Sequence, residues 1–188
     1  MEQLEQGIIA TSLRLTLRRL LEADSDAVFQ YRQLPEVALF QSWTPKNTDE
    51  VVEHALLMAS NNICQPDMWE QIVLVNACEQ VIGDLAVCID SETEKLAELG
   101  IALAPAFQRK GLATEAINTI CDWLFQHKDL HRISVSIDPR NTASLNLFAR
   151  VGFRQEAHHR QSCFFKGEWC DDIVMAILQS EWQENRNH

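Results

Sequence analysis

The stretch from Leu96 to Asp138 constrains the fold more than any other part of the chain. "LAELGIAL" (96–103) reads as an apolar strand ended by Pro105. "GLATEAINTICDWLFQH" (111–127) places Ala113, Ala116, Ile117, Ile120 and Leu124 at helical spacing, and "RISVSID" (132–138) alternates Ile133, Val135 and Ile137 with serines. Strand, helix and strand in that order make a crossover, a connection that brings two strands parallel in one sheet with the helix packed on it.

The flanking patterns extend that unit. "SLRLTLRRL" sets Leu13, Leu15 and Leu17 against Arg14, Thr16 and Arg18, which is period two and predicts a strand. "EADSDAVFQYRQL" reads as a short helix with acidic residues at its start. After a turn at Pro45, Asn47 or Thr48 caps a helix with Val51, Ala55 and Met58 on one face. "EQIVLVNACEQVIGDLAVCI" is a hairpin around Asn76–Gln80. Beyond the crossover, "NTASLNLFARVGF" is a helix capped by Asn141 and ending near Gly152, and "DDIVMAIL" is a strand after a turn at Lys166–Gly167. The order predicts an α/β fold with a mixed sheet, antiparallel in front and closed by the crossover behind. With no repeat, low-complexity stretch or linker, residues 1–188 read as a single domain.

Composition excludes several function classes. A formal net charge of −11 argues against general binding to nucleic acid and is compatible with a cationic substrate. No apolar run approaches the roughly 18 residues of a membrane span. The opening "MEQLEQGIIA" lacks the basic-then-apolar order of a signal peptide, so the expected location is the cytoplasm, away from membranes. The cysteines, Cys64, Cys78, Cys88, Cys121, Cys163 and Cys170, form no CxxC, and Cys88 and Cys121 sit in apolar stretches as reduced structural thiols. The histidines, His188 among them, show no HExxH and no ligand spacing with the cysteines, so no metal is expected.

The chemistry concentrates in "QRKGLATEA", Gln108 to Ala116. Cations at the start of a helix oppose its dipole unless an anion sits among them, and a glycine there lets backbone approach a ligand. Together these features describe a phosphate socket. It is neither a GxxxxGK loop nor a GxGxxG fingerprint, because Gly111 has no partner glycine at the required spacing.

What fits is Gln or Arg, two free positions, Gly, one free position, then Gly or Ala: Gln108, Arg109, Lys110, Gly111, Leu112, Ala113. With "AELGIALAPAF" upstream and "NTASLNLFARVGF" downstream, the chain resembles the GNAT superfamily of acetyl-CoA-dependent N-acetyltransferases. "SLRLTLRRLLEAD" and "FFKGEWCDDIVMAIL" resemble its RimJ/RimL-type branch, which acetylates ribosomal-protein N-termini among other amines. The resemblance spans about residues 10 to 180. It implies a GNAT-type mixed, mostly antiparallel sheet of about six to seven strands flanked by about four helices.

The resemblance also implies roles. Gln108 to Ala113 would cradle the coenzyme A diphosphate through backbone N–H groups, with Arg109 and Lys110 adding charge. Leu103, ending its strand, would bond the pantetheine arm through backbone, Asn141 and Ser144 would sit beside pantetheine and thiol, and Phe148 would flank the coenzyme. Asn141 serves equally as a plain helix cap.

Acetyl transfer needs a deprotonated amine, a stabilised oxyanion and a leaving thiolate, and no enzyme nucleophile. Similar enzymes place a glutamate that removes the proton, often through water, in the strand ending at the phosphate loop, so the resemblance implies Glu98 as the candidate base; the other reading is an ordinary outward-facing strand residue, and Leu99 should point into the core. Many members of the family use a tyrosine near the thiol, in the helix that begins here at Asn141, but the sole tyrosine, Tyr31, lies in an early helix; the RimL-like pattern implies Ser144 as the acid instead, or the thiolate leaves without one. Trp43 and Trp69 flank the region of the acceptor groove, where a tryptophan binds an amine by cation–π contact or serves as partial core. Asp49, Glu50, Asp67 and Glu70 are candidates to attract a basic acceptor. The expected partners are acetyl-CoA and an amine, a ribosomal-protein N-terminus among the candidates, in a monomer or homodimer. A non-catalytic acyl-CoA-sensing module is the alternative.

Overall fold

The period-two stretches pair into one sheet. In the computed structural model, which describes residues 7–186, Ile8–Thr11 (β1), Leu15–Arg19 (β2), Glu70–Asn76 (β3), Val81–Ile89 (β4), Leu96–Leu103 (β5), Arg132–Ile137 (β6), Arg154–Phe165 (β7) and Glu168–Leu178 (β8) form eight strands in the order β1-β2-β3-β4-β5-β6-β8-β7. The pair β5–β6 is parallel, as the crossover requires, and the other pairs are antiparallel. The segment Met1–Gln6, which opens the stretch read against a leader, and His188 lie outside the described residues.

The helices are Ser25–Arg32 (α1), Pro35–Ala38 (α2), Thr48–Ala59 (α3), Leu112–His127 (α4), Thr142–Val151 (α5) and Gln179–Arg186 (α6). Asn47 caps α3 by accepting from the Glu50 N–H at 2.9 Å, and Val51, Ala55 and Met58 are its buried face, as the spacing predicts. One more strand and two more helices are present than expected. β1 is too short to show alternation, α2 is a single turn, and α6 is polar except for Trp182, whose indole N–H donates to Asp122 at 2.9 Å. Leu13 is not a strand residue. The Ser12 N–H donates to the Leu15 carbonyl at 2.8 Å, which closes a turn and leaves Leu13 94% exposed at its tip.

The sheet is covered on both faces. On one, α4 with Ile117, Ile120 and Leu124 packs against Leu74, Leu85 and Leu99, and Phe148 and Trp182 extend that core from α5 and α6. On the other, Val28 and Tyr31 from α1 and Val51 and Ala55 from α3 cover Val73, Val75 and Ala102. Close packing at Gly83 joins β4 to β5: a Cβ there would collide with the Ala102 carbonyl oxygen. Among the described residues, no helix is long and apolar enough to cross a membrane.

One irregularity positions everything that follows. β5 pairs with β6 only through Leu96–Glu98 opposite Arg132–Ser134. Beyond Glu98, β5 stays with β4 to Leu103 and β6 stays with β8 to Ile137, so the two parallel strands part at their carboxyl ends. The wedge between them lies where ligands of open α/β sheets commonly bind, with the N-termini of α4 and α5 at its rim.

Candidate active site

Two clefts meet in the wedge. The outer one, about 420 Å³, is lined by Leu103, Gln108, Arg109, Gly111, Ala113 and, from α5, Arg150, among others. The inner one, about 330 Å³, is lined by Glu98, Asp138, Phe148, Trp43, Trp69 and His54, among others. Asn141 and Ser144 line both, which makes the start of α5 the junction. A larger groove of about 750 Å³ lies between β1 and α4, but of the predicted site residues it includes only Gly111. Size alone therefore does not select the site; the chemistry of the lining does.

The outer end is built from backbone. Arg109 and Gly111 both take left-handed conformations, with φ of 59° and 76°, and Gly111 is the N-cap of α4. Among the described residues, none accepts a hydrogen bond from the N–H groups of Arg109 to Thr114. Unpaired N–H groups at a helix start, following a left-handed turn, make a concave anion site. The β5 carbonyls of Ile101 and Leu103 accept from side-chain amides instead, Gln41 Nε2 at 3.2 Å and Gln108 Nε2 at 3.0 Å. Leu112 is buried in the core, so its side chain is unavailable to a ligand. Lys110 does not line the cleft: its carbonyl accepts from Arg14 Nη1 at 3.0 Å, and its ammonium stands 5.4 Å from the Phe107 ring. The second cation of the outer cleft is Arg150.

The inner end is titratable. Glu98 is an exposed residue on the cleft, while Leu99 turns into the core as alternation predicts. Loss of hydration, and then the nearby Asp172 carboxylate, raise the Glu98 pKa above its ordinary value. Asp138 is held below the ordinary range, first by hydrogen bonds from the Arg140 guanidinium, at 2.6 Å from Nη2. Asn141 Oδ1 accepts from the Ser144 N–H at 3.2 Å, so Asn141 is a helix cap and also faces the cleft. The fit to a coenzyme is direct: open N–H groups and two arginines suit phosphates, and a carboxyl kept from full hydration suits proton transfer.

Residues 14–154 match the acetyltransferase (GNAT) domain family. The chain belongs to that family. It is 30% identical to the spermidine N(1)-acetyltransferase of Vibrio cholerae over 169 residues, 90% of this chain and 95% of that one. The ribosomal protein uS5-alanine N-acetyltransferase of Escherichia coli is 28% identical over 121 residues, 64% of this chain and 58% of the relative. The solved Vibrio cholerae spermidine N-acetyltransferase in complex with CoA and spermine matches with a TM-score of 0.79 at 25% identity, over 92% of this chain and 99% of that one. The molecule is an acetyl-CoA-dependent N-acetyltransferase, with acetyl-CoA as its co-substrate.

In this GNAT acetyltransferase several predicted contacts fall elsewhere. Trp43 lines the inner cleft, but the Arg32 guanidinium lies 4.5 Å from its ring centroid and the His54 ring 4.8 Å away, so its cation–π partner is internal. Trp69 is the cleft tryptophan that keeps an exposed ring. Glu70 is buried and paired with Arg19 at 2.8 Å, and Asp49, Glu50 and Asp67 are not cleft residues. The acidic groups in the inner cleft are Glu98 and Asp138. Phe148 is core, packed edge-on against Phe153 at 5.1 Å, with one side on the cleft. Cys121 is fully buried, as expected, whereas Cys88 is only partly buried. Burial pushes the Cys64 thiol up to about 12.

A buried polar network beneath the inner cleft is not visible in the linear pattern. Asp84, 0% exposed, accepts from Arg32 (3% exposed), from Gln71 and from the Tyr31 hydroxyl. Arg32 also donates through Nη1 to the Trp43 carbonyl at 2.6 Å and so fixes the cleft wall. His54 Nε2, beside it, is buried with no protein partner among the described residues. Burial, and then Arg32, lower the His54 pKa. The signal in sequence is a single Asp inside the apolar run "VIGDLAVCI".

Proposed function

We infer that this acetyltransferase moves the acetyl group of acetyl-CoA to a primary amine, a protein N-terminus or a small amine, by direct attack while both substrates are bound. The observation that carries the reading is the parting of β5 from β6, which joins an anion-binding loop at one end to a carboxyl of raised pKa at the other. Residues 1–188 act as a single acetyltransferase domain in the cytoplasm, as a monomer or homodimer.

The N–H groups of Arg109 to Ala113 receive the diphosphate, with Arg109 and Arg150 adding charge and Lys110 supplying longer-range field only. Pantetheine amides take the places on the Ile101 and Leu103 carbonyls that the Gln41 and Gln108 carboxamides hold, one amide exchanging for another. Bound acetyl-CoA supplies a thioester carbonyl as electrophile. Glu98 removes a proton from the acceptor ammonium, directly or through water, and its raised pKa brings its basicity closer to the task. Ser144 Oγ donates a hydrogen bond at the departing sulfur, and Asn141 holds the helix start that places it. Tyr31 takes no part, since its hydroxyl is committed to Asp84 and burial raises its pKa well above the usual value.

The RimJ/RimL-type reading makes the acceptor a ribosomal-protein N-terminus; the spermidine relative, matched over more of this chain, supports a polyamine as the second candidate. Thiol release from acetyl-CoA, followed against N-terminal ribosomal peptides, spermidine, spermine and aminoglycosides, decides between them. Release with one class alone assigns the acceptor, and coenzyme binding without release for any amine identifies a sensing module instead.

A further inference from the structure

The first turn of α4 carries a carboxylate, Glu115, at the end of the helix assigned above to the diphosphate. An anion there suits an isolated helix but repels a second anion bound to the same N–H groups. The β1–β2 turn encloses it. Ser12 Oγ donates to Glu115 Oε1 at 2.7 Å, the Arg14 N–H to the same oxygen at 2.8 Å, and Arg14 Nε to Oε2 at 2.6 Å. The same guanidinium reaches the coenzyme loop, donating through Nη1 to the Lys110 carbonyl at 3.0 Å and bringing Nη2 within 3.5 Å of where a Cβ on Gly111 would stand. Burial opposes ionisation of Glu115, but the hydrogen bonds from Ser12 and Arg14 outweigh it and hold its pKa below the ordinary value.

We propose that Arg14 is a positioning residue for acetyl-CoA: held at the loop by the Lys110 carbonyl, its guanidinium cancels the Glu115 charge in the first turn of α4, so that the loop N–H groups meet the diphosphate without that carboxylate's repulsion. The proposal rests on the assignment of that loop to the diphosphate. A plain structural tether between the hairpin and the helix uses the same contacts, but the two differ in sign at Glu115. In the Arg14→Ala background, Glu115→Gln keeps an acceptor oxygen for Ser12 and for the backbone N–H of position 14 and removes the charge, the other oxygen having already lost its Arg14 partner. For a tether, losing either partner lowers stability and leaves coenzyme affinity alone. For charge compensation, Arg14→Ala leaves a bare carboxylate beside the phosphates, and Glu115→Gln in that background relieves it.

Calorimetry with acetyl-CoA and initial rates on Arg14→Ala, Arg14→Lys, Arg14→Ala/Glu115→Gln and Gly111→Val make the test. Arg14→Ala raises the Kd and KM for acetyl-CoA about five- to tenfold at low salt, less at high salt, with kcat and the acceptor KM unchanged. Arg14→Lys keeps most of the affinity, and the double variant returns to within about twofold of the parent. Should Arg14→Ala fail to fold, Arg14→Lys against Arg14→Gln carries the same comparison. Parental affinity in Arg14→Ala, or a loss that Glu115→Gln does not relieve, overturns the proposal. Gly111→Val keeps the two assignments apart. Weakened binding there beside parental binding in Arg14→Ala removes charge compensation alone, and parental binding in Gly111→Val removes the loop assignment beneath it.

Discussion

Replacing Gly111 by valine separates the strain of a loop from its use as a binding surface. Gly111 has φ of 76°, and the nearest heavy atom to an added Cβ is Arg14 Nη2 at 3.5 Å, an ordinary contact. A Cβ there meets no clash, and the main cost is conformational. A left-handed residue other than glycine costs about 1–2 kcal/mol, with β-branched valine at or above the upper end. In a chain of 188 residues, each kcal/mol moves Tm by roughly 2–4 °C, so melting should fall by about 2–8 °C with a cooperative transition retained. The effect on coenzyme is larger. A valine side chain at the N-cap stands between phosphate and the N–H groups, and losing two hydrogen bonds to a charged group, about 1.5–3 kcal/mol each, weakens binding by about 10²- to 10⁴-fold. Thermal melting and isothermal calorimetry with acetyl-CoA on the same preparation read both. Lower Tm with parental affinity would mean that Gly111 serves the turn alone and that the loop does not bind the diphosphate.

Further outcomes follow from the same geometry. Glu98→Gln should lower kcat/KM for the amine by about 10²- to 10⁴-fold with the acetyl-CoA Kd unchanged, measured by thiol release across about pH 6–9, and full activity in the variant removes Glu98 as the base. A raised folded pKa means that Glu98 contributes stability below the unfolded carboxyl range and loses it as pH rises through the folded value. The permanently neutral Glu98→Gln should therefore melt no lower than the parent at pH 8, where a lower Tm contradicts the raised value. Asp84→Ala strands the buried Arg32 and should cost about 3–5 kcal/mol, a drop of roughly 6–20 °C in Tm, with unchanged melting as the contrary result. Arg109→Ala and Arg150→Ala should each raise the acetyl-CoA KM about two- to fivefold, an effect that shrinks with salt; a change in acceptor KM instead would place these arginines elsewhere.

The parts of the fold that repeat were legible before any coordinates. The caps at Asn47 and Asn141, the buried stripe of α4 and the serine alternation of β6 all follow from period and capping chemistry, and the structure places them as read. Two kinds of information were not local. The short edge strand β1 and the polar α6 acquire their structure from neighbours, β2 for the first and Asp122 on α4 for the second. Trp43 shows the same limit within the site. A cleft tryptophan could be placed near the acceptor groove from sequence, but that Arg32 occupies its ring depends on Asp84, 52 residues further along the chain. The loop proposed for the coenzyme was legible as a structural feature because it is written in backbone: a glycine at the left-handed position opening a helix.

The wedge between β5 and β6 is the proposed place of acetyl-CoA. Amide hydrogen exchange with and without acetyl-CoA tests this residue by residue. New protection is expected at the N–H groups of Arg109 to Thr114 and along Ile101–Leu103, with the groove between β1 and α4 unchanged. Protection confined to Ile8–Ser12 and the exposed side of α4, with the loop exchanging as in the free protein, would contradict it.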